Sequence, residues 1–155
     1  MNEINIKVIT LDHGKDLPLP EYGTPESAGL DLVAAIEAPT LIKPSERAII
    51  PTGICLSIPE GYEGQIRPRS GLAAKFGMTV LNSPGTIDAD YQGEILVIMI
   101  NLGQDPFEVT RGMRIAQIIF APFTRARLAS VTEFTTQTLR GENRFGSTGL
   151  HAKVL

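Results

Sequence analysis

The stretch Asn82-Ser-Pro-Gly-Thr-Ile-Asp-Ala-Asp-Tyr-Gln-Gly93 carries the densest set of chemically useful side chains in this sequence. Asn82 to Gly85 are turn formers, Asp88 and Asp90 are carboxylates, and Tyr91 adds a ring just before the apolar run Ile95 to Ile100. A strand, a tight turn and a returning strand would hold an acid and an aromatic ring together at a hairpin mouth. Such a mouth is either a ligand site with a carboxylate placed for proton transfer, or a solvated turn whose aspartates satisfy local backbone donors.

Other segments supply complementary chemistry. In Arg67-Pro-Arg-Ser-Gly-Leu-Ala-Ala-Lys75, Pro68 ends a strand and Ser70 is placed to N-cap a short helix over Ser70 to Phe76. Free N–H groups at a helix start, a glycine, a hydroxyl and an arginine together suit an anion. The alternative is an ordinary capped helix with a surface arginine. Arg140 to Gly149 repeats that composition with two arginines, Ser147, Thr148, glycines and the ring of Phe145. A glycine-rich backbone with hydroxyls can cradle phosphate, and a lone ring can stack on a base. Asp31 sits in the apolar strand Ala28-Gly-Leu-Asp-Leu-Val-Ala-Ala35, where a carboxylate needs a partner or a function. Gln117 interrupts Ile115-Ala-Gln-Ile-Ile-Phe120 and by alternation shares a face with Ile115 and Ile119, so it is either part of a buried polar network or a site residue.

The elements that must position these groups are short strands. Alternation or apolar runs predict them at Ile4–Val8, Leu30–Ala35, Arg47–Ile50, Ile54–Ile58, Tyr62–Arg67, Thr79–Leu81, Glu94–Asn101, Phe107–Val109 and Arg114–Pro122, with turn signals such as Pro51-Thr-Gly53 and Pro59-Glu-Gly61 between them. The spacing predicts an all-β, antiparallel sandwich or jelly roll with one short helix. Ile95 to Ile100 is apolar on both faces, which predicts a second sheet on one side and a neighbouring subunit on the other. From Leu139 the pattern stops. We therefore expect a core over 1–138 and a flexible C-terminal arm over 139–155.

Composition narrows the function classes. The 155 residues, 43% apolar and 20% charged, suit one globular domain with a real core. A net charge of −3 argues against binding polymeric nucleic acid, which calls for a basic stripe, but allows a small anion held by a few arginines. Cys55 is the only cysteine, so no internal disulfide can form. No apolar run reaches membrane-spanning length and no secretory signal pattern opens the chain, so the expected setting is reducing and aqueous, the cytoplasm, without a membrane partner. His13 and His151 lie in no zinc-like spacing. Mg2+ stays open, because it binds oxygen, keeps much of its water shell and can be carried by nucleotide phosphates.

Taken in order, AGLDLVAA at 28–35, PRSGLAAKFGM at 68–78, the 82–93 stretch, RGMRIAQIIF at 111–120 and RGENRFGSTG at 140–149 resemble the five motifs of the deoxyuridine triphosphatase (dUTPase) family. The resemblance implies a homotrimer of distorted jelly-roll subunits whose active sites are shared between chains, each arm closing over a neighbour's site. It implies Mg2+-dependent hydrolysis of dUTP to dUMP and pyrophosphate, with Asp88 as the general base for the water attacking the α-phosphorus. Asp90 is then the turn-stabilising or salt-bridging carboxylate. By the same resemblance, Asp31 holds the hydrated metal through water and Gln117 positions the α-phosphate or the water. Arg69, Ser70 and Gly71 meet the phosphate chain. Arg140, Gly146, Ser147 and Thr148 close over it, and Phe145 stacks on uracil. Asn82, Gly85, Thr86, Ile87 and Met99 complete the substrate contacts. The backbone of 79–91 with Asn82 then reads the uracil edge, the narrow hairpin excludes the thymine methyl, and Tyr91 under the sugar leaves no room for a 2′-hydroxyl.

Two departures from the family pattern stand out: Asn143-Arg144 replaces the usual glycine pair, and Phe76 stands where histidine is common. A dCTP deaminase would share fold and triphosphate handling but needs a catalytic glutamate and different base-edge chemistry. A non-catalytic nucleotide-binding trimer would have no need of Asp31, Asp88 and Gln117 together.

Overall fold

Ten strands, one α-helix and one 3-10 turn account for the regular structure of the computed structural model, which describes residues 3–138 and 141–142. The chain divides into two units, Met1–Thr124 and Arg125–Leu155, and among the described residues every regular element lies in the first. In chain order the elements are β1 (Lys7–Thr10), a 3-10 turn (Asp12–Gly14), β2 (Leu30–Val33), β3 (Thr40–Ile42), β4 (Arg47–Ser57), β5 (Tyr62–Arg67), α1 (Ser70–Phe76), β6 (Met78–Val80), β7 (Gly85–Ile87), β8 (Glu94–Asn101), β9 (Phe107–Val109) and β10 (Arg114–Pro122). All pairings between them are antiparallel. They form one sheet in the order β1-β4-β8-β6, a second in the order β2-β10-β5-β7 and a two-stranded ribbon β3-β9. This is the all-β jelly roll with a single short helix that the strand spacing predicts.

One hydrophobic core serves both sheets. Leu32, Ile66 and Ile118 from the second sheet join Ile50, Ile95, Val97 and Met99 from the first. On β8 the alternation is strict: Ile95, Val97 and Met99 are fully buried, whereas Leu96 is 44% exposed. Asn101 ends the strand at 0% exposure, its amide donating to the Ile42 and Asp105 carbonyls (2.9 and 2.8 Å) while its oxygen accepts from Gly103 N–H. A buried amide so satisfied costs little. The outward side chains of β8 continue the apolar surface: Ile98 lies opposite Ile49, and Leu96 opposite Pro51.

Beyond small shifts at β1, β2 and β6, three features differ from the expectations above, each for a physical reason. Pro51-Thr-Gly53 is not a turn. It lies inside an unbroken β4, whose register on β8 shifts between Pro51 and Cys55. Gly53 takes φ 72° there, so a bulge absorbs the residues that a turn would have used. β3 escapes the pattern because it has only three residues between proline-flanked turns. The 82–93 stretch is not a simple hairpin: β6 and β8 do pair, but the chain between them crosses to the other sheet, where β7 pairs with β5.

In the second unit, residues 125–138 form neither helix nor strand. Leu128 and Phe134 there are 94% and 89% exposed. No helix among the described residues is long and apolar enough to cross a membrane.

Candidate active site

A cavity of about 480 Å3 opens beside α1. Its walls bring together three of the segments singled out in the sequence: Asp31 from β2, Arg69, Ser70 and Gly71 at the start of α1, and Gln117 from β10. The pairing explains the convergence. Asp31 lies directly opposite Gln117 in the β2–β10 ladder, and Gln117 lies directly opposite Arg67 in the β10–β5 ladder. Directly opposed residues point to the same face of a sheet. A bulge between Arg114 and Ala116 sets that face. It buries Ile115 to 1% exposure and leaves Gln117 half-buried, so Gln117 does not share a face with Ile115 as simple alternation predicts.

Asp31, Arg69 and Gln117 are each held in this wall. Arg69 Nε donates to Asp31 Oδ1 at 2.9 Å, and Arg114 Nη1 to Oδ2 at 3.3 Å. Arg69 also reaches the Arg114 carbonyl (3.2 Å), which ties both guanidinium groups to one carboxylate. Asp31 therefore has the partner that its apolar strand demands. Gln117 Nε2 donates to the Pro68 carbonyl at 3.0 Å. Its oxygen leans over Gly29, where a Cβ would lie 2.4 Å away. The helix start departs from expectation. Ser70 does not cap it: the N-cap is Arg69, in extended geometry, whose carbonyl accepts from Leu72 and Ala73 N–H. The Ser70 hydroxyl is thereby not committed to capping. Helix residues Leu72, Lys75 and Phe76 also line the cavity. Sequence reasoning passed over Lys75, although it stands four residues after Gly71 on the same helix face.

The 82–93 stretch lies elsewhere. None of its residues lines the cavity. Gly85 is buried in β7, Thr86 is exposed opposite Gln65, and Ile87 packs against the core opposite Gly64. The Ser83–Pro84 peptide is cis. Asn82 reaches over Gly85, and Asp88 is exposed, its carbonyl accepting from Tyr91 N–H at 3.1 Å. Tyr91 is 43% exposed, and its hydroxyl donates to the Glu94 carbonyl at 2.8 Å. Met99 is fully buried on β8, paired with Ala48 of β4 and Val80 of β6, and does not line the cavity. Arg140, Phe145, Gly146, Ser147 and Thr148 lie outside the described residues.

A single chain thus presents an arginine- and hydroxyl-lined cavity at one place and an acid-and-ring loop at another. The family model for dUTPase matches residues 15–149, which include all five motifs. The chain belongs to the dUTPase family. A deoxyuridine 5′-triphosphate nucleotidohydrolase of Aquifex aeolicus (strain VF5) is 60% identical over 128 residues, covering 83% of this chain and 85% of the relative. Another, of Wolbachia pipientis subsp. Culex pipiens (strain wPip), is 53% identical over 149 residues, covering 96% and 97%. Among solved structures, a mutant dUTPase of Staphylococcus bacteriophage 80alpha with dUpNHpp aligns with a TM-score of 0.84 at 28% identity, over 94% of this chain and 99% of the other. A mutant dUTPase from phage phi11 of S. aureus, solved with a view to the coordination of a structural Mg(II) ion, aligns with a TM-score of 0.75 at 25% identity, over 84% and 99%.

Proposed function

We propose that this chain hydrolyses dUTP to dUMP and pyrophosphate, in an active site assembled from more than one copy of it, with Asp88 as general base. That it is a dUTP nucleotidohydrolase follows from family membership and from relatives of that name above half identity. The mechanism is our reading of the residues. The observation that carries it is the convergence of Asp31, Arg69, Ser70, Gly71 and Gln117 on one cavity, with Asp88 and Tyr91 presented separately on an exposed loop.

The cavity takes the phosphate chain. Arg69 and Lys75 supply positive charge, and the Ser70 hydroxyl and the Gly71 backbone supply short-range donors. Asp88 orients a water and accepts its proton as the oxygen attacks the α-phosphorus. The bond from that phosphorus to the bridging oxygen breaks, and the electron pair leaves on pyrophosphate. Gln117 holds the α-phosphate or the water in line. The donor set suits Mg2+ bound through its waters: no cluster of three metal-ligating side chains exists among the described residues. The Asp31 carboxylate, already accepting from two guanidinium groups, keeps lone pairs for metal-bound water. When bound, the ion neutralises charge developing on the phosphate oxygens. Asn82 and the backbone of 79–91 read uracil, and Tyr91 lies under the deoxyribose. The arm contributes Arg140, Ser147 and Thr148 to the phosphates and Phe145 to the base.

The separation of Asp88 from the cavity supports shared sites, and the apolar outer face of β8 and β4 supports a homotrimer. Leu96, Ile98 and Ile49 on that face would be covered by other copies. Pyrophosphate release from dUTP, dTTP, dCTP and UTP tests the reading. Turnover confined to dUTP, and lost on chelating divalent metal, is expected. Ammonia release from dCTP would overturn it.

A further inference from the structure

We propose that His13 and Glu94 are positioning residues that fix the Tyr91 ring and so set discrimination between deoxyribose and ribose. The proposal rests on the reading of Tyr91 as the sugar platform.

The Tyr91 ring has few contacts of its own, being 43% exposed. It folds back over Gly93, where a Cβ would lie 2.6 Å from the Tyr91 hydroxyl, and that hydroxyl is held by the Glu94 carbonyl. Both contacts fall on residues 93 and 94, so the ring goes where the start of β8 goes. Yet this is the weakest part of the β4–β8 ladder. The bulge at Thr52–Ile54 removes regular pairing between Pro51 and Cys55, immediately beside Glu94.

Side chains restore what the ladder lacks. Glu94 Oε1 accepts from the Gly53 N–H at 2.9 Å, inside the bulge, and from His13 Nε2 at 2.7 Å. Thr52 Oγ1 donates to the Ile95 carbonyl at 2.7 Å. His13 is itself anchored. Its carbonyl accepts from Arg111 Nη2 at 2.8 Å, and Leu11 N–H donates to the Gly53 carbonyl at 2.8 Å. Gly14 presses on Gly53 so closely that a Cβ on Gly14 would lie 2.6 Å from the Gly53 oxygen. The 3-10 turn at Asp12–Gly14 is therefore a strut docked on the bulge, and the His13 imidazole is its link to the strand that carries the ring. His13 and Glu94 are half-buried, at 32% and 23% side-chain exposure, which protects the hydrogen bond from competing water. Neither residue lines the phosphate cavity. Their influence on the ring passes through the bulge and the start of β8.

Selection against a 2′-hydroxyl depends on sub-ångström placement of the surface under the sugar, and a displacement of that order changes rates strongly. The test measures kcat and KM for dUTP and for UTP in the full chain, with His13→Ala, His13→Gln, Glu94→Gln and Tyr91→Ala. Tyr91→Ala is expected to collapse the dUTP-to-UTP ratio of kcat/KM. His13→Ala is expected to lower that ratio about tenfold, through a raised KM for dUTP with kcat nearly kept. His13→Gln, whose amide N–H can still donate to Glu94, should restore most of the ratio. Glu94→Gln keeps an acceptor oxygen without the charge and should fall between, which keeps the test alive if His13→Ala does not fold. The proposal is overturned if Tyr91→Ala changes the ratio while the His13 and Glu94 variants leave it at the wild-type value. An unchanged ratio in Tyr91→Ala would instead remove the platform reading, and this proposal with it.

Discussion

Asp88 and Gln117 illustrate how differently two site residues can be built. Asp88 is exposed on a loop, and among the described residues its one hydrogen bond is a turn contact through its carbonyl. Gln117 is wedged between the Pro68 carbonyl and Gly29. Asp88→Asn should therefore cut kcat by about 10²–10⁴-fold, the usual share of a general base, with little change in affinity for a non-hydrolysable dUTP analogue. Single-turnover kinetics beside calorimetry would show it, and near-normal turnover would exclude the role. Gly29→Ala should act through Gln117 at the cavity wall: the new methyl displaces the amide, kcat drops, and the fold survives. At this scale the sequence was informative wherever a residue type was out of place, as with a carboxylate in an apolar strand. The partners of Asp31 were not legible, because Arg69 and Arg114 come from elements that only the fold brings alongside. Lys75 was missed because a lysine on a helix is ordinary until the cavity is seen.

At the scale of elements, β5, α1, β8, β9 and β10 begin and end where the sequence predicts. Each is bounded by proline, glycine or a break in apolar pattern that the backbone itself enforces. Misplaced boundaries mark sites where tertiary contact overrides local preference. Gly53 reads as a turn residue, but its positive φ serves a bulge pressed against Gly14. Gly53→Ala meets both strain at φ 72° and a contact 2.6 Å from the Gly14 Cα, and should destabilise the fold by about 2–4 kcal/mol. Urea denaturation would measure the loss. The same corner carries a pH effect. A hydrogen bond from Arg111 holds the Asp16 carboxyl below its ordinary value of 3.8. A carboxyl depressed on folding contributes stability above the unfolded value, and loses it as the pH falls through the folded one. Asp16→Asn should therefore remove a stabilisation present at neutral pH, converge with the native protein in acid, and so flatten the acid limb of the stability profile below about pH 4. The pair is surface-exposed, so the effect is small.

For the whole molecule, the two faces of β8 state the problem that assembly would solve. Ile95, Val97 and Met99 fill the core, while Leu96, Ile98 and Ile49 leave an apolar stripe outside it. The double-sided pattern was legible in the sequence; which residues a neighbour would cover was not, since the β4 register decides that. If sites are shared, two inactive variants should rescue each other. Asp88→Asn mixed and refolded with Ser70→Ala should recover activity that neither shows alone, because some sites then draw an intact base from one chain and an intact cavity from another. Mixtures that stay inactive would place every site within a single chain. Size-exclusion chromatography with light scattering would count the subunits directly.

The distance between the cavity and the 82–93 loop has a consequence for how such an enzyme switches on. If sites are shared, a chain fresh from the ribosome carries a place for phosphates without the Asp88 carboxylate beside it, and that carboxylate with nothing to act upon. Catalysis then arrives only with company, and dilution should silence it: specific activity would fall steeply below the concentration at which copies associate and return on concentrating the same sample.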